Sequence, residues 1–423
     1  MPVHAPASPP TARKAALAFI FVTVLLDILA FGVVIPVLPR LIKQMAGGDM
    51  VSAAHWVGLI ATVFAVVQFF FNPIQGALSD RFGRRPVILL SNLGLGLDFI
   101  LMALVQTLPW LVIARVISGM TSASFSTANA YIADVTPPDK RAAAFGTLGA
   151  AFGVGFVLGP ALGGTLGDID LRLPFWIAAG LALANFCYGF FVLPESLPRE
   201  RRSLQFELRR ANPIGALLLL RRYPQVYALA AVVFLSQLAH YVLNTTFVLY
   251  ADYRYDWGPQ AVGFTLGFVG VCNGIVQALL VGRIVRHLGE RRAIFIGLTF
   301  GALGFAWQGL APTGWLSLAA IPLLALWGFA GPATQALVTR QVDPGEQGRL
   351  QGALASLTSL AGILGPTLYT QIFGWSINKD SPLHLPGLAF LLAASLLLVA
   401  LAVAWKATRP AADAASATDA AHP

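Results

Sequence analysis

The sequence consists largely of long apolar runs that end at proline, glycine or charged residues. A bilayer core about 30 Å thick requires roughly 20 apolar residues in a helix that rises about 1.5 Å per residue. Runs of this length occur at residues 15–37, 56–77, 87–108, 110–132, 144–166, 173–193, 225–249, 261–282, 293–311, 314–338, 350–374 and 385–406. These runs predict an all-α polytopic membrane protein with 12 transmembrane helices.

The composition supports lipid as the main solvent of the chain. Hydrophobic residues make up 57% and charged residues only 11% of the 423 residues, and the mean hydropathy is +0.72. Soluble domains carry about 25% charged residues. The net charge of +9 would also suit a nucleic-acid-binding protein, but the arginines stand in short turns between apolar runs. We therefore expect a lipid bilayer as partner, and no nucleic acid.

Nothing in the sequence suggests an enzyme or a cofactor site. It contains no HExxH sequence, no nucleophile motif and no phosphate-binding loop. The glycine-rich stretch GVGFVLGPALGG has membrane-type apolar residues around it and no strand before it, which argues against a dinucleotide-binding loop. We expect no enzymatic activity, no cofactor and no bound metal ion.

The basic residues are concentrated in alternate turns between the runs. Most of the 28 lysines and arginines fall on the same side as the N-terminus, and such residues are retained in the cytoplasm. This predicts a multi-pass protein of the cytoplasmic (inner) membrane with both termini cytoplasmic. The predicted domains are a cytoplasmic tail at 1–14, a six-helix bundle at 15–197, a cytoplasmic linker at 198–222, a second six-helix bundle at 223–406 and a cytoplasmic tail at 407–423.

The two halves of the sequence share features at a constant offset of 206 residues. Gly83 pairs with Gly289 at this offset, and the Gly159-Pro160 step pairs with Gly365-Pro366. Several matches at one offset indicate an internal duplication. We expect two pseudo-symmetric six-helix bundles with a substrate cavity between them.

Several of these motifs resemble one known family. GALSDRFGRR at 76–85 matches the loop signature of the major facilitator superfamily, and LDILAFGVVIPVLP, RVISGM and GFVLGPALGG resemble span motifs of its drug/proton antiporters. RQVDPGEQGRLQGALASLTSL is similar to exporters of the tetracycline-efflux type. The resemblance implies the major facilitator fold and proton-coupled efflux of hydrophobic small molecules, such as a drug or tetracycline-like antibiotic, by alternating access. Its implied partners are a small-molecule substrate and protons, and we expect a monomer.

Two alternatives to an exporter remain open at this point. One is a sugar or metabolite transporter of the same fold, and the other is a membrane sensor or scaffold that does not transport. The apolar spans and the GPALGG sequence favour the exporter.

The charged turn between the second and third runs has two interpretations. Its arginines hold the turn in the cytoplasm, while its glycines let the backbone bend and the helices approach. In addition, Asp80 is a candidate latch that bonds to a helix N-terminus or an arginine, and the resemblance implies gating for this motif. The second copy has Arg286 at the matching position, so the latch is expected to be asymmetric. The residues assigned to gating are Gly76, Asp80, Arg81, Gly83, Arg84 and Arg85.

Three ionisable residues stand inside predicted spans of the first half: Asp27, Asp98 and Arg115. Charges at this depth face the bundle interior, where they pair or titrate. Both acids fall about 15 Å below the outer surface, and Arg115 about 8 Å below it, within reach of either carboxylate. We predict that these residues couple transport to protons, because two acids share one base. The alternative is a permanent buried ion pair.

The resemblance also implies two groups that are missing here. Tetracycline exporters carry acids that align with Asp27 and Asp98, but also an acid in span nine and a histidine in span eight. Gly301 and Asn273 stand at those two positions. Proton coupling is therefore expected in the first half, and this departure weakens the case for tetracycline itself as substrate.

Other polar residues recur at helical spacing within spans and predict a substrate cavity, with interhelical hydrogen bonds as the alternative. They are Gln68, Asn72, Gln237, His240, Asn244, Asn273 and Gln277. Among the aromatic residues, Phe69, Phe70, Trp307 and Trp327 are candidates to stack on a flat ligand.

Small residues four apart in the fifth run predict close helix packing, with a proline that bends the span. In drug exporters a similar motif is associated with antiport. Its residues here are Gly155, Gly159, Pro160, Gly163 and Gly164.

Overall fold

The computed structural model describes residues 10–121, 124–137, 140–202, 224–343 and 346–408, which are helical apart from short turns. The helices before the linker are α1 Pro10–Val34, α2 Leu38–Met45, α3 Met50–Phe82, α4 Arg84–Leu104, α5 Leu108–Thr121, α6 Ser124–Val135, α7 Arg141–Ile169 and α8 Leu173–Val192. Those after it are α9 Pro224–Thr245, α10 Phe247–Tyr255, α11 Pro259–Ile275, α12 Val281–Leu310, α13 Gly314–Ala325, α14 Ala330–Arg340, α15 Gln347–Ile377 and α16 Leu388–Ala407. The all-α prediction is confirmed.

Within the described residues, 10 helical stretches are long and apolar enough to cross a membrane. The longest, Pro259–Leu310, has 52 residues; as one straight helix it would extend about 78 Å, far more than a bilayer core. It contains a non-helical residue, Gly289, and covers two predicted spans. The run predicted at 110–132 is occupied by the shorter helices α5 and α6, which flank residues 122–123 outside the described part. Helices thus occupy every predicted run.

Two short helices were not predicted. Helix α2 follows the first span, and α10 follows the first span after the linker. Each has fewer than ten residues and is too short to cross a bilayer, so apolar length alone does not predict it. Their corresponding places in the two halves support the internal duplication.

The first compact unit comprises Met1–Asp49, Val63–Ala211 and Trp257–Gly270. In it α1 packs against α7 and α8, and α4 packs against α8. Buried side chains from four helices form a core at one end of this unit, among them Ile20, Val24, Ile88 and Tyr131.

The second compact unit comprises Met50–Thr62, Asn212–Asp256 and Val271–Pro423. In it α9 packs against α15 and α16, and α12 packs against α16. Val226, Leu229, Leu350 and Leu354 belong to its core. The helix pairs correspond one by one to those of the first unit, with α9, α12, α15 and α16 in the places of α1, α4, α7 and α8.

The duplication is also visible in the backbone. Gly83 has φ 109° and ψ 162°, and Gly289 has φ 76° and ψ 163°. Both glycines have a positive φ, a backbone conformation that residues other than glycine rarely adopt.

The predicted domain boundaries stay a prediction. Most of the linker and the outer parts of both tails lie outside the described residues, at 1–9, 203–223 and 409–423. Helix α1 already begins at Pro10, inside the predicted N-terminal tail.

Candidate functional site

Asp98 and Arg115 form an ion pair between α4 and α5. Arg115 Nη2 lies 2.6 Å from Asp98 Oδ2, and both side chains are buried. The same nitrogen lies 2.5 Å from Met102 Sδ, and the guanidinium carbon lies 5.9 Å from the centre of the Phe64 ring. An arginine enclosed in this way is held by charge, sulfur and an aromatic face together. Of the two acids within reach, Arg115 therefore pairs with Asp98.

Asp27 has a different environment, on α1. Its Oδ1 accepts a hydrogen bond of 2.8 Å from Asn185 Nδ2 on α8, and the same amide donates to the Thr23 carbonyl oxygen at 3.0 Å. Asn185 has no exposed surface, and its Oδ1 has no hydrogen-bond partner within the described part of the chain. One partner of Asp27 is thus a neutral amide, which suits both a charged and a neutral carboxyl group.

Sequence reasoning missed Asn185. It is an amide in the middle of the run 173–193, and a polar side chain inside a span needs a partner, as the acids do. What the sequence could not give was the partner, 158 residues away on α1.

The charged turn is built around Gly83 and Arg84. Helix α3 continues through Phe82 and α4 begins at Arg84, so one residue makes the turn. Arg84 binds Asp80 at 2.6 Å, Ser79 Oγ at 3.0 Å and Asp134 at 3.0 Å. All three partners lie in the same unit. Asp80, the proposed latch, is half exposed and pairs with Arg84 here.

Glu195 caps the start of α4, a role that sequence analysis did not assign. Its carboxylate accepts the backbone N–H groups of Arg84 at 2.8 Å and Arg85 at 3.3 Å. A carboxylate at a helix N-terminus satisfies free N–H groups and the positive end of the dipole. The side chain of Arg202 lies 3.7 Å away. Arg85 donates to the Phe190 carbonyl oxygen at 2.6 Å, while Arg81 is exposed.

Gly76 does not take part in this turn. It lies inside the regular helix α3, and an added Cβ would meet no atom of the described residues within 4 Å. The expected bend and close approach therefore occur at Gly83 alone, since a mid-helix glycine with open space around it requires neither.

The second unit contains a related ion pair of opposite polarity. Glu290 Oε1 lies 2.7 Å from Arg340 Nη2, at positions offset by 206 from Arg84 and Asp134. The two pairs join equivalent helices, but acid and base have exchanged places.

The small residues of α7 lie close to neighbouring helices. A Cβ at Gly155 would lie 2.8 Å from Ile28, and one at Gly159 would lie 2.8 Å from Gly32 Cα. Gly163 faces the Val33 carbonyl, while Gly164 faces Pro259 and Gly263 of α11. Pro160 lies inside the helix. One face of α7 thus approaches α1, and another approaches α11.

The predicted cavity residues belong to different units. Gln68 and Asn72 lie half-buried in the first unit, on α3. Gln237, His240 and Asn244 on α9, Asn273 on α11 and Gln277 lie in the second unit, and all but the half-buried Gln237 are exposed. The rings of His240 and Trp327 lie 5.7 Å apart. Of the other aromatic candidates, Phe69 and Phe70 contact each other, and Trp307 donates to the Leu316 carbonyl oxygen.

The chain matches known proteins over most of its length. The model of the Major Facilitator Superfamily matches residues 20–366. The class C tetracycline resistance protein of Escherichia coli is 40% identical over 386 residues, covering 91% of this chain and 95% of that protein. The class D protein of Salmonella ordonez is 37% identical over 352 residues, with 83% and 88% covered. The crystal structure of the human organic anion transporter MFSD10 is similar with a TM-score of 0.69 and 25% identity, covering 94% of this chain and all of that one.

Proposed function

Because the chain belongs to the major facilitator superfamily, a family of membrane transporters and not of enzymes, we propose that it exports hydrophobic small molecules in exchange for protons. Transport takes place by alternating access. The relatives named as tetracycline resistance proteins support a drug or tetracycline-like antibiotic as substrate.

The observation that carries proton coupling is the different surroundings of the two buried acids. Asp98 is bound to a cation, Arg115, whereas Asp27 is bound by the amide of Asn185. An isolated charge in an apolar interior is costly, so a buried carboxyl group that changes partners also changes its protonation. Asp27 is the proton carrier in this proposal, and the Asp98–Arg115 pair is the second half of the coupling device.

The remaining functional assignments belong to the same proposal. Asp80, Arg81, Gly83, Arg84 and Arg85 form a cytoplasmic gate, supported by the ion pairs of Arg84 with Asp80 and Asp134. The glycines of α7 bring that helix against its neighbours during antiport. The protein acts as a monomer in the cytoplasmic membrane, with both termini cytoplasmic, as the distribution of basic residues supports.

A drug-susceptibility panel in an efflux-deficient host tests this function. Wild type is expected to raise resistance to hydrophobic drugs, and Asp27→Asn to abolish that resistance. Asp380→Asn, which changes an exposed acid in the loop before α16, is the matched control and retains resistance.

Everted vesicles test the coupling directly. Uptake of a drug from the panel is expected to stop when the pH gradient is collapsed. Uptake that continues unchanged after this collapse, and in the Asp27→Asn Asp98→Asn double variant, would rule out proton coupling through these acids. Counterflow that favours sugars over drugs would point to the alternative substrate class, and a complete lack of transport would favour a sensor.

A further inference from the structure

Trp327 lies at the centre of an aromatic and polar cluster in the second unit. The cluster consists of Trp327, His240 and Gln277, with Phe305 and Gly301 beneath the indole ring. Nothing in the coupling mechanism uses these residues.

The indole ring of Trp327 packs closely against two buried residues. It meets the fully buried Phe305 edge to face, with 5.5 Å between ring centres and an angle of 69°. It also packs directly on Gly301, where a Cβ would lie 2.9 Å from Trp327 Cγ. Only a residue without a side chain leaves the indole this position. Trp327 is therefore a rigid, pre-positioned aromatic surface.

A polar side chain also lies close to the Trp327 ring. The imidazole of His240 lies 5.7 Å from the Trp327 ring centre at an angle of 43°, and His240 is exposed. Asn244, one turn further along α9, is exposed too. Both residues lie within the last turns of α9. Polar side chains inside a membrane span normally face the protein interior or a water-filled cavity and not lipid.

The backbone is irregular at this cluster. Gln277 belongs to a π-helical segment, Val276–Leu280, and Trp327 to a 3-10 segment, Leu326–Phe329. The two segments pack against each other, and the Gln277 amide lies beside Gly328. π-helical segments often mark functional sites.

We propose that this cluster is a substrate subsite for a planar aromatic group with a polar edge. The ring of the ligand stacks on Trp327, and His240 and Gln277 hydrogen-bond to its edge. Gly301 under the indole has no side chain, so recognition at this cluster depends on stacking and hydrogen bonding and not on a carboxylate. The inference rests on the proposed export function and names its substrate class.

Equilibrium binding to the purified protein in nanodiscs tests the subsite without a proton gradient. The probes are tetracycline and ethidium, each of which has a planar ring system with an aromatic ring, and erythromycin, which has no aromatic ring. Trp327→Leu is expected to weaken binding of both planar probes roughly tenfold, the scale of one good aromatic contact, and to leave erythromycin unchanged. Trp327→Phe retains most of the affinity.

Two further variants separate the subsite from misfolding. Gly301→Ala changes none of the other residues of the cluster, but its Cβ would lie too close to the indole and to Leu397, so the indole must shift, and the variant is expected to reproduce the selective loss. Trp176→Leu removes a tryptophan of another span, on α8 in the first unit, and is expected to change none of the affinities. Each variant must have the melting temperature and elution volume of wild type within error. A variant that fails this condition is replaced by His240→Gln.

Three results would overturn the inference: no binding of either planar probe by wild type, an equal loss for all three probes, or no loss in Trp327→Leu. None of these depends on proton coupling, which the vesicle assay measures separately. Selective binding together with uptake that ignores the pH gradient would keep the subsite and reject the antiport mechanism.

Discussion

At the scale of single residues, the two buried acids differ in how they are compensated. Arg115 neutralises Asp98 at 2.6 Å, while the amide of Asn185 donates to Asp27. Removing one member of a buried ion pair leaves an uncompensated charge, which costs more than removing both. The two sites therefore call for different tests.

The ion pair predicts a strongly non-additive mutant cycle. Arg115→Leu is expected to lower the free energy of unfolding by about 3–5 kcal/mol, because it leaves the buried Asp98 without its cation. Replacing both residues, Asp98→Leu with Arg115→Leu, should recover most of this loss without recovering transport. Thermal unfolding of the purified variants measures the effect; additive losses would mean that the pair is not coupled.

Asn185 is predicted to position Asp27. In Asn185→Leu the carboxyl loses an amide hydrogen bond, which is expected to cost about 1–3 kcal/mol of stability. Proton-driven uptake should fall several-fold while counterflow, which requires no net proton movement, stays near wild type. Equal losses in both assays would assign Asn185 a purely structural role. Ser236→Ala, a polar change on α9 in the other unit, serves as the control.

At the scale of helices, the sequence predicts the helices whose length is set by the bilayer, but not the backbone geometry of the turns between them. The spans follow from apolar length. The turn between α3 and α4 depends on a single residue, Gly83, whose φ of 109° no local pattern in the sequence specifies. The glycine at 76 looked equivalent in sequence, yet it is part of a regular helix.

The three glycines of this turn motif and its repeat predict a graded series. Gly83→Ala is expected to destabilise most, by more than about 1–3 kcal/mol, because strain at positive φ is joined by a clash with Glu195. Gly289→Ala has the strain alone, since no atom of the part of the chain that the structure describes lies within 4 Å of an added Cβ. Gly76→Ala should be neutral or stabilising by about 0.5–1 kcal/mol. Unfolding measurements that place Gly76→Ala below Gly83→Ala would contradict this order.

At the scale of the whole molecule, the duplication appears as equivalent helix pairs and as ion pairs of reversed polarity, Arg84–Asp134 and Glu290–Arg340. The first pair belongs to a network with Asp80, next to the helix cap at Glu195. The second includes an arginine that is 68% exposed, and exposed pairs contribute little.

The stabilities of the two halves are therefore predicted to respond unequally when an acid next to the turn motif or in its repeat is replaced. Glu195→Gln should lower the free energy of unfolding by about 1–2 kcal/mol, because the cap loses its negative charge and one of its two acceptor oxygens. Glu290→Gln should change the free energy of unfolding by less than about 1 kcal/mol. Raising the salt concentration should reduce the effect of Glu290→Gln further. A larger loss in Glu290→Gln would show that the second pair, too, belongs to a network.

The sequence by itself determined the membrane class, the spans, the duplication and the candidate acids. These follow from local rules, because a helix in lipid must satisfy its own backbone and must reach across the bilayer. Only the tertiary structure decided which groups meet: Arg115 with Asp98 across 17 residues, Glu195 with Arg84 across 111, and Asn185 with Asp27 across 158. Such partners depend on which helix faces pack together, and that choice is made by the shapes of whole helices, such as the glycine faces of α7 and the gap at Gly301 that admits Trp327.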